Sequence, residues 1–450
     1  MPGPVSTGEI YPSQVRVIFA AQPHPEKVKQ KLLAAGLILA AIANGQTAPL
    51  SQSVTLDQAI QEALAKNLDL AAEKMNIGVA ETRRITARLR PNPVLTVSGQ
   101  SLNLLGANYS PNTPFGPNQL NVHTDFPFEG GHKREERIAV AAQEQSLVEL
   151  GVREVMRQVI AGVQNAFVDV QQAAESLKLA RENLKSLEGV VTINEARLKS
   201  GDLAVVELDR SRVAALQYRA ATLQAQLQVD QAKTQLQRLM GRRVKSPDFD
   251  VAGEIRRDGV IEAPGEIVRL ALTRRPDYLA DRQSQARSRA DLRLQVANGK
   301  VDYTIGTEFT RQSAWGISAN SIGVYFSVPL RIFNKNQGEI ARTQREIGLA
   351  GARAEAHETS IQTEVERAYR QYVVSKQLLT SVEAEMIVKA RSVRDTMEYS
   401  YRRGEASLVE FLDAQRAFND AMQTFNETRV NYARSLYLID AVSGATVSGN

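Results

Sequence analysis

Four stretches of the chain alternate apolar and polar residues one by one. Val301, Tyr303, Ile305, Thr307 and Phe309 alternate with Asp302, Thr304, Gly306, Glu308 and Thr310. Leu120, Val122, Thr124 and Phe126 alternate with Asn121, His123 and Asp125; Ile322, Val324, Phe326 and Val328 repeat the pattern, and Leu95 to Leu102 follows it more loosely. A period of two places one set on each face of a strand, so four amphipathic strands are expected. Their length of about ten residues suits a tilted membrane strand, although a half-buried sheet in a soluble domain produces the same alternation. Elsewhere the period is helical. Val148, Val152, Val155, Val159, Gly162 and Ala166, then Val170, Ala173, Leu177, Ala180, Leu184, Leu187 and Val191, are spaced by threes and fours, with one slip between Gly162 and Val170. That is a coiled-coil seam, and Phe411, Ala414, Phe418, Ala421, Phe425, Thr428, Tyr432, Ser435 and Ile439 form another. Glu135 to Ser200 contains no proline; as one helix it extends ~100 Å, over three times a bilayer core. The many Ala, Gly, Ser and Thr at seam positions let helices approach closely and suit a scaffold wall.

The pattern occurs twice. Ala59 to Gly99 lies over Ile267 to Thr307 with a shift of 208, Phe126-Pro127-Phe128 over Val328-Pro329-Leu330 with 202, and Ser200-Gly201-Asp202 over Arg403-Gly404-Glu405 with 203. Each half reads helix, strand, loop, strand, very long helix, glycine-centred break, helix. Residues 44–450 are therefore expected to form a single domain of two tandem repeats, about 55–246 and 262–446, joined by a linker over 247–265. The strands carry a further consequence. A transmembrane barrel needs at least roughly eight strands, and lipid does not tolerate an open edge. If these strands lie in a membrane, the barrel is shared between chains: two subunits give eight strands and three give twelve.

The remaining features narrow the setting. The one long apolar run, Leu32 to Ala43, follows Lys27, Lys29 and Lys31 and ends in the small-x-small pattern Ala41-Ile42-Ala43. Twelve residues are too few to span a bilayer but suit a secretory signal. A leader over 1–43, with its signal segment at about 27–43, a mature start near Asn44 and an initiator near Val28 are expected. The 450 residues include no cysteine, which removes disulfides, thiolate metal sites and cysteine nucleophiles. A net charge of +5 from interspersed acids and bases gives no phosphate-binding face and no reason to expect nucleic acid. No His-Glu-x-x-His, Gly-x-Ser-x-Gly or phosphate-cradling loop is present, and the four histidines are scattered at 24, 123, 132 and 357. Neither an enzyme, a cofactor nor a resident metal is expected.

A leader, paired alternating strands and very long antiparallel helical hairpins, all duplicated, resemble the TolC family of outer-membrane efflux proteins over about Val54 to Gly444. The strings that carry the resemblance are GEASLVEFLDAQRAFNDA from Gly404, VPLRIFNKNQGEIARTQREI from Val328 and LDQAIQEALAKNLDL from Leu56; the second is similar to the heavy-metal branch, the CzcC-like proteins. The resemblance implies a mostly α fold with a small membrane β-sheet, four strands and long coiled-coil hairpins per protomer, closed as a homotrimer. It further implies an exit duct in the cell outer membrane with a long periplasmic extension. A periplasmic adaptor (membrane fusion) protein and an inner-membrane pump of the resistance-nodulation-division class would be its partners, and metal cations its cargo. Drugs or secreted polypeptides are the alternative cargo, and a soluble coiled-coil scaffold the alternative outside transport. Loops Gly106 to Asn118 and Gln312 to Ser321 would face outside. Ser200, Gly201 and Asp202, with Arg403, Gly404 and Glu405, would be the periplasmic tips that dock the adaptor. Glu410 and Asp413 match the acidic rings of the narrowest point, where like charges would raise one another's pKa. Tyr401 and Glu207 match a closed-state latch whose usual arginine falls at Ala406, with Arg402 or Arg403 as substitutes.

Overall fold

The structure, a computed structural model, describes residues 52–102, 118–243, 248–257, 261–314 and 317–445. The leader over 1–43 and the loop residues 106–117 lie outside them. A short strand, β1 (Gln52–Val54), leads into α1 (Leu56–Lys66). Thr55 and Gln58 start α1 with a capping box, each satisfying the other's backbone N–H. Asn67 ends α1 and starts α2 (Leu68–Arg88): its side chain accepts from Leu70 N at 3.0 Å and donates to Leu239 O at 2.9 Å. Then come β2 (Val94–Gln100), β3 (Asn118–Phe128), the unbroken 68-residue α3 (Lys133–Ser200) and α4 (Val205–Leu239).

The second half repeats the order. After β4 (Phe249–Val251), which pairs with β1, come α5 (Pro264–Arg274) and α6 (Pro276–Asn298). The stretch 247–265 thus holds a strand and the start of a helix. Next are β5 (Tyr303–Ala314), β6 (Ile317–Ser327) and α7 (Gln337–Ser381). A π-turn over Val382–Met386 joins α7 to α8 (Ile387–Arg403), and α9 (Leu408–Ser443) follows. The duplication extends to single contacts. Gly241 has φ +71°, and a Cβ there would lie 2.1 Å from Lys66 O; Gly444 has φ +74°, and a Cβ would lie 3.0 Å from Arg274 Cβ. Each glycine closes its hairpin against the helix break of its own half.

The four long strands form one antiparallel sheet in the order β2-β3-β5-β6. Its register pairs Val97 with Val122, Val122 with Phe309 and Phe309 with Ile322, which gathers the apolar set on one face. The polar face is cross-linked: Thr310 Oγ1 donates to Asn121 Oδ1 at 2.9 Å, and His123 Nε2 lies 3.8 Å from Glu308 Oε1. The Tyr325 hydroxyl donates to Asp125 across Gly306, where a Cβ would be 2.2 Å from the tyrosine ring. One expectation is corrected here. Most of Gln312 to Ser321 is strand and not loop: Gln312 pairs with Ala319 and Ala314 with Ile317. Backbone bonds make a ladder, and these polar residues extend it beyond the point where side-chain alternation fades. Asn118 likewise already belongs to β3.

Helices continue the order of the strands. Next to the sheet α3 packs on α2 and α6, and α6 on α7; toward the far end α3 packs on α4 and α9, and α9 on α7 and α8. The joint below the sheet is tight: a Cβ on Gly130 would lie 1.9 Å from Val301 O. Lys133, itself buried, donates to Asp302 Oδ1 at 2.6 Å, and Gly130 N does so at 2.9 Å. Burial alone would raise the Asp302 carboxyl; these bonds hold it below the usual carboxylate range. Among the described residues no helix is long and apolar enough to cross a membrane.

Candidate functional site

The two hairpin turns lie at the far end of α3 and α8. Both close through left-handed glycines, Gly201 at φ +83° and Gly404 at φ +84°, a conformation that costs glycine nothing. Asp202 N donates to Arg197 O at 2.8 Å and Glu405 N to Ser400 O at 2.9 Å, satisfying carbonyls at the two helix ends. Ser200 Oγ donates to Asp202 Oδ2 at 2.7 Å, and Arg403 Nη1 to the Tyr399 hydroxyl at 2.9 Å. Ser200, Gly201, Asp202, Arg403, Gly404 and Glu405 are all exposed.

Just behind the tips the two hairpins grip each other. Tyr401 is 3% exposed and stacks on Phe411 at 5.5 Å. Leu187, Val190, Ala214 and Leu408 complete that small core. The Tyr401 hydroxyl donates to Asn194 Oδ1 at 2.6 Å; burial pushes it above the usual tyrosine range, so it stays a neutral donor. Arg197, in the last turn of α3, lies over the Tyr401 ring at 5.5 Å. Its Nη2 donates to the carbonyls of Tyr401 at 3.2 Å and Arg402 at 2.8 Å. A cation on the last carbonyls of a helix meets both unsatisfied acceptors and the negative end of the dipole.

Within the subunit the Tyr401 hydroxyl thus meets a different partner from the one expected. Tyr401 does not bond Glu207, which instead accepts from Arg210 Nη1 at 2.7 Å. Neither proposed substitute reaches Glu207, since Arg402 donates to Glu398 at 2.7 Å and Arg403 to Tyr399. Asn194 wins because it lies buried on the α3 seam that faces α8, whereas Glu207 stands at the start of α4 beside its own i+3 arginine. Asn194 and Arg197 were missed by sequence reasoning. A signal existed for the first: Asn183, Leu187, Val190 and Asn194 share the seam spacing, and an asparagine there must find a partner.

Glu410 and Asp413 sit one turn apart and exposed at the start of α9. Glu410 closes a capping box: Ser407 N and Oγ each donate to its Oε2 at 2.8 Å, and Glu410 N donates to Ser407 Oγ at 3.3 Å. The bonds from Ser407 hold the Glu410 carboxyl below its ordinary range. Within the subunit these cap bonds favour the charged form. Asp413 lies 3.5 Å from Arg416. Farther along, Gln415 Nε2 donates to Asn183 Oδ1 at 2.9 Å and Asn419 Nδ2 to the Tyr218 hydroxyl at 2.9 Å. These amides tie α9 to α3 and α4 beside a cavity of about 430 Å³. Among the described residues no group of three or more His, Asp or Glu is placed to hold a metal ion.

Known proteins share this architecture. A protein of Cupriavidus metallidurans called cobalt-zinc-cadmium resistance protein CzcC is 24% identical over 370 residues, covering 82% of this chain and 84% of its own. The pyoverdine export outer membrane protein OpmQ of Pseudomonas putida is 27% identical over 403 residues, covering 82% and 81%. The crystal structure of the Campylobacter jejuni CmeC outer membrane channel superposes with a TM-score of 0.69 at 15% identity, over 88% of this chain and 87% of that one. The family description "Outer membrane efflux protein" matches residues 59–242 and 267–445. With duplicated hairpins, a four-stranded amphipathic sheet and that match over most of its length, the chain belongs to the outer membrane efflux protein family: it is a TolC-type duct of the outer membrane with a long periplasmic extension.

Proposed function

We propose that three copies of this chain form the exit duct of a tripartite efflux system of the resistance-nodulation-division type, passing metal cations from the periplasm to the exterior. The observation that carries this is the four-stranded sheet, apolar on one face, whose outer strands β2 and β6 have edges that pair with no other strand among the described residues. Four strands cannot enclose a lumen, and lipid cannot satisfy a bare edge. Twelve strands from three copies, rather than eight from two, is the closure that family membership implies. On this reading the leader over 27–43 directs export and is cut before Asn44, and the mature duct is built from repeats at about 55–246 and 262–446. An adaptor docks on the exposed turns around Gly201 and Gly404, and an inner-membrane pump supplies the energy. Glu410 and Asp413 from three copies place six carboxylates around the tunnel, which attracts cations without holding them.

The name of the Cupriavidus metallidurans relative supports metal cargo. The pyoverdine exporter, no less similar, supports a second reading in which the cargo is a small organic molecule. Deleting the gene and growing the strain on cobalt, zinc and cadmium salts separates them. Loss of metal tolerance is expected. Loss confined to siderophore release or organic toxicants selects the second reading, and unchanged growth in every condition overturns the export role.

A further inference from the structure

One row of the polar face runs straight across all four strands of the sheet. Thr96 pairs with His123, His123 with Glu308, and Glu308 with Gly323. Because the apolar face must meet lipid, this row looks into the lumen of the closed barrel. The wall around it is negative. Among the described strand positions of that face stand Asp125 and Glu308 but no lysine or arginine. Arg311 falls on the apolar face, opposite Leu120.

Within the row an imidazole and a carboxylate converge. His123 Nε2 lies 3.8 Å from Glu308 Oε1, and neither side chain is buried, at 26% and 38% exposed. Thr310 Oγ1 stands 3.1 Å from the same carboxylate oxygen and steadies it. Gly323 leaves room on the other side of Glu308: a Cβ there would meet only Glu308 Cβ, at 3.9 Å. Bonds of about 2.0–2.2 Å from one ion to a nitrogen and an oxygen can span this gap, and closing it by roughly 0.4 Å gives the tetrahedral angle. His357, also flanked by carboxylates, is differently placed. It lies 2.5 Å from Asp281 and 3.5 Å from Asp277, but Asp277 also pairs with Arg275 at 2.6 Å and faces Arg157 at 4.0 Å. Two guanidiniums beside a carboxylate repel a metal ion. Glu308 has no such neighbour among the described residues.

We propose that His123 and Glu308 bind a divalent transition-metal cation, one per subunit, on its way through the barrel. The site rests on the proposed cation duct for its setting and names where an ion touches the wall. An imidazole nitrogen favours zinc, nickel and their neighbours, whereas magnesium and calcium prefer oxygen alone. Two protein ligands are fewer than the three or four of catalytic and structural sites, so water fills the rest of the shell and the ion leaves readily. Three copies set three such pairs at one level of the lumen. The Asp125 carboxylates lie one polar row nearer the helices, about 7 Å away along the strand. An ion rising from the periplasm thus meets oxygen first and nitrogen second.

Equilibrium dialysis of the full-length, tag-free protein in mild detergent against cobalt(II), with magnesium in excess, tests this. One cobalt ion per subunit is expected. A lost ligand costs at least what a lost supporting residue does, so His123→Ala is expected to weaken binding roughly tenfold or more and Glu308→Gln by a similar factor. His357→Ala is expected to change nothing. Thr96→His sets a second imidazole directly across from the first and is expected to tighten binding roughly tenfold, a gain that misfolding does not produce. No bound cobalt marks an ordinary cross-strand ion pair and overturns the site. So does binding that survives His123→Ala, that Thr96→His leaves unchanged, or that magnesium abolishes. Growth of the deletion strain on metal salts reads the cargo separately. Binding at His123 without a metal phenotype overturns the cargo reading and leaves the site standing; a metal phenotype without that binding does the reverse.

Discussion

Arg197 occupies a position where one side chain decides whether two hairpins act together. It leaves α3 and ends on two carbonyls of α8, while its flat face covers the Tyr401 ring. Two hydrogen bonds from a charged donor, partly open to water, are worth about 2 kcal/mol together. Arg197→Ala is expected to loosen the tips and raise conductance in planar bilayers several-fold, with Asn194→Ala acting in the same direction. Glu207→Ala, which removes only an i,i+3 pair with Arg210, is expected to leave conductance unchanged. At the other end of the hairpins Arg275 is almost fully buried and bonds Asp277 at 2.6 and 3.1 Å and Glu364 at 2.6 Å. Burial would raise the Asp277 carboxyl, but the Arg275 bonds and charge outweigh it and leave it below its ordinary value of 3.8. A depressed carboxylate contributes stability that is fully present above the unfolded value and is lost as pH falls through the lower folded one. Asp277→Asn is therefore expected to cost about 3 kcal/mol at neutral pH, since it leaves a buried guanidinium short of a partner. The gap between variant and parent in thermal midpoint should narrow as pH drops below 3.8.

Single elements show which contacts the duplication preserved. Gly241 and Gly444 close equivalent turns, both at positive φ, but only Gly241 faces a backbone oxygen, at 2.1 Å. A side chain at Gly444 meets Arg274 Cβ and the Arg275 backbone at 3.0 to 3.1 Å, where a small shift suffices. Gly241→Ala is thus expected to cost more than Gly444→Ala, by about 2 kcal/mol, read as the difference in thermal midpoint of the purified protein. Elements of this kind were legible to different degrees in the sequence. The strands and long helices could be read because their faces differ in polarity at a fixed period: the Val301 alternation became β5, and the seam from Val148 became α3. The breaks at Asn67 and Arg275 were less visible, since one depends on a distant carbonyl of Leu239 and the other on Glu364. Strand ends were misjudged where polar residues pair through the backbone alone, as at Gln312 and Ala319. The tips were found through their glycines, but the partner of Tyr401 was not. Which of several nearby polar groups a buried hydroxyl meets is settled by packing between hairpins about 200 residues apart, and no periodicity records it.

At the scale of the molecule, the sheet and the tips sit at opposite ends of the same rods. α3 starts directly beneath the sheet, where Gly130 and Lys133 are fastened to Val301 and Asp302, and it runs 68 residues without a break. At 1.5 Å per residue that separates the turn at Gly201 from the base of the sheet by ~100 Å, several times the depth of a bilayer core. With the sheet in the outer membrane, the tips must therefore stand far inside the periplasm, and the end of the β5–β6 ladder, where Ala314 pairs with Ile317, must lie at the membrane face away from the helices. A protease site inserted at 315–316 is expected to be cut when intact cells are treated with the enzyme. The same site inserted after Gly201 is expected to be cut only once the outer membrane has been opened. Cleavage after Gly201 in intact cells would place the rods outside, and protection of 315–316 under both conditions would remove the sheet from the cell surface. Because the two insertions fall at the ends of different hairpins, each result stands without the other, and together they fix the direction in which the duct leads.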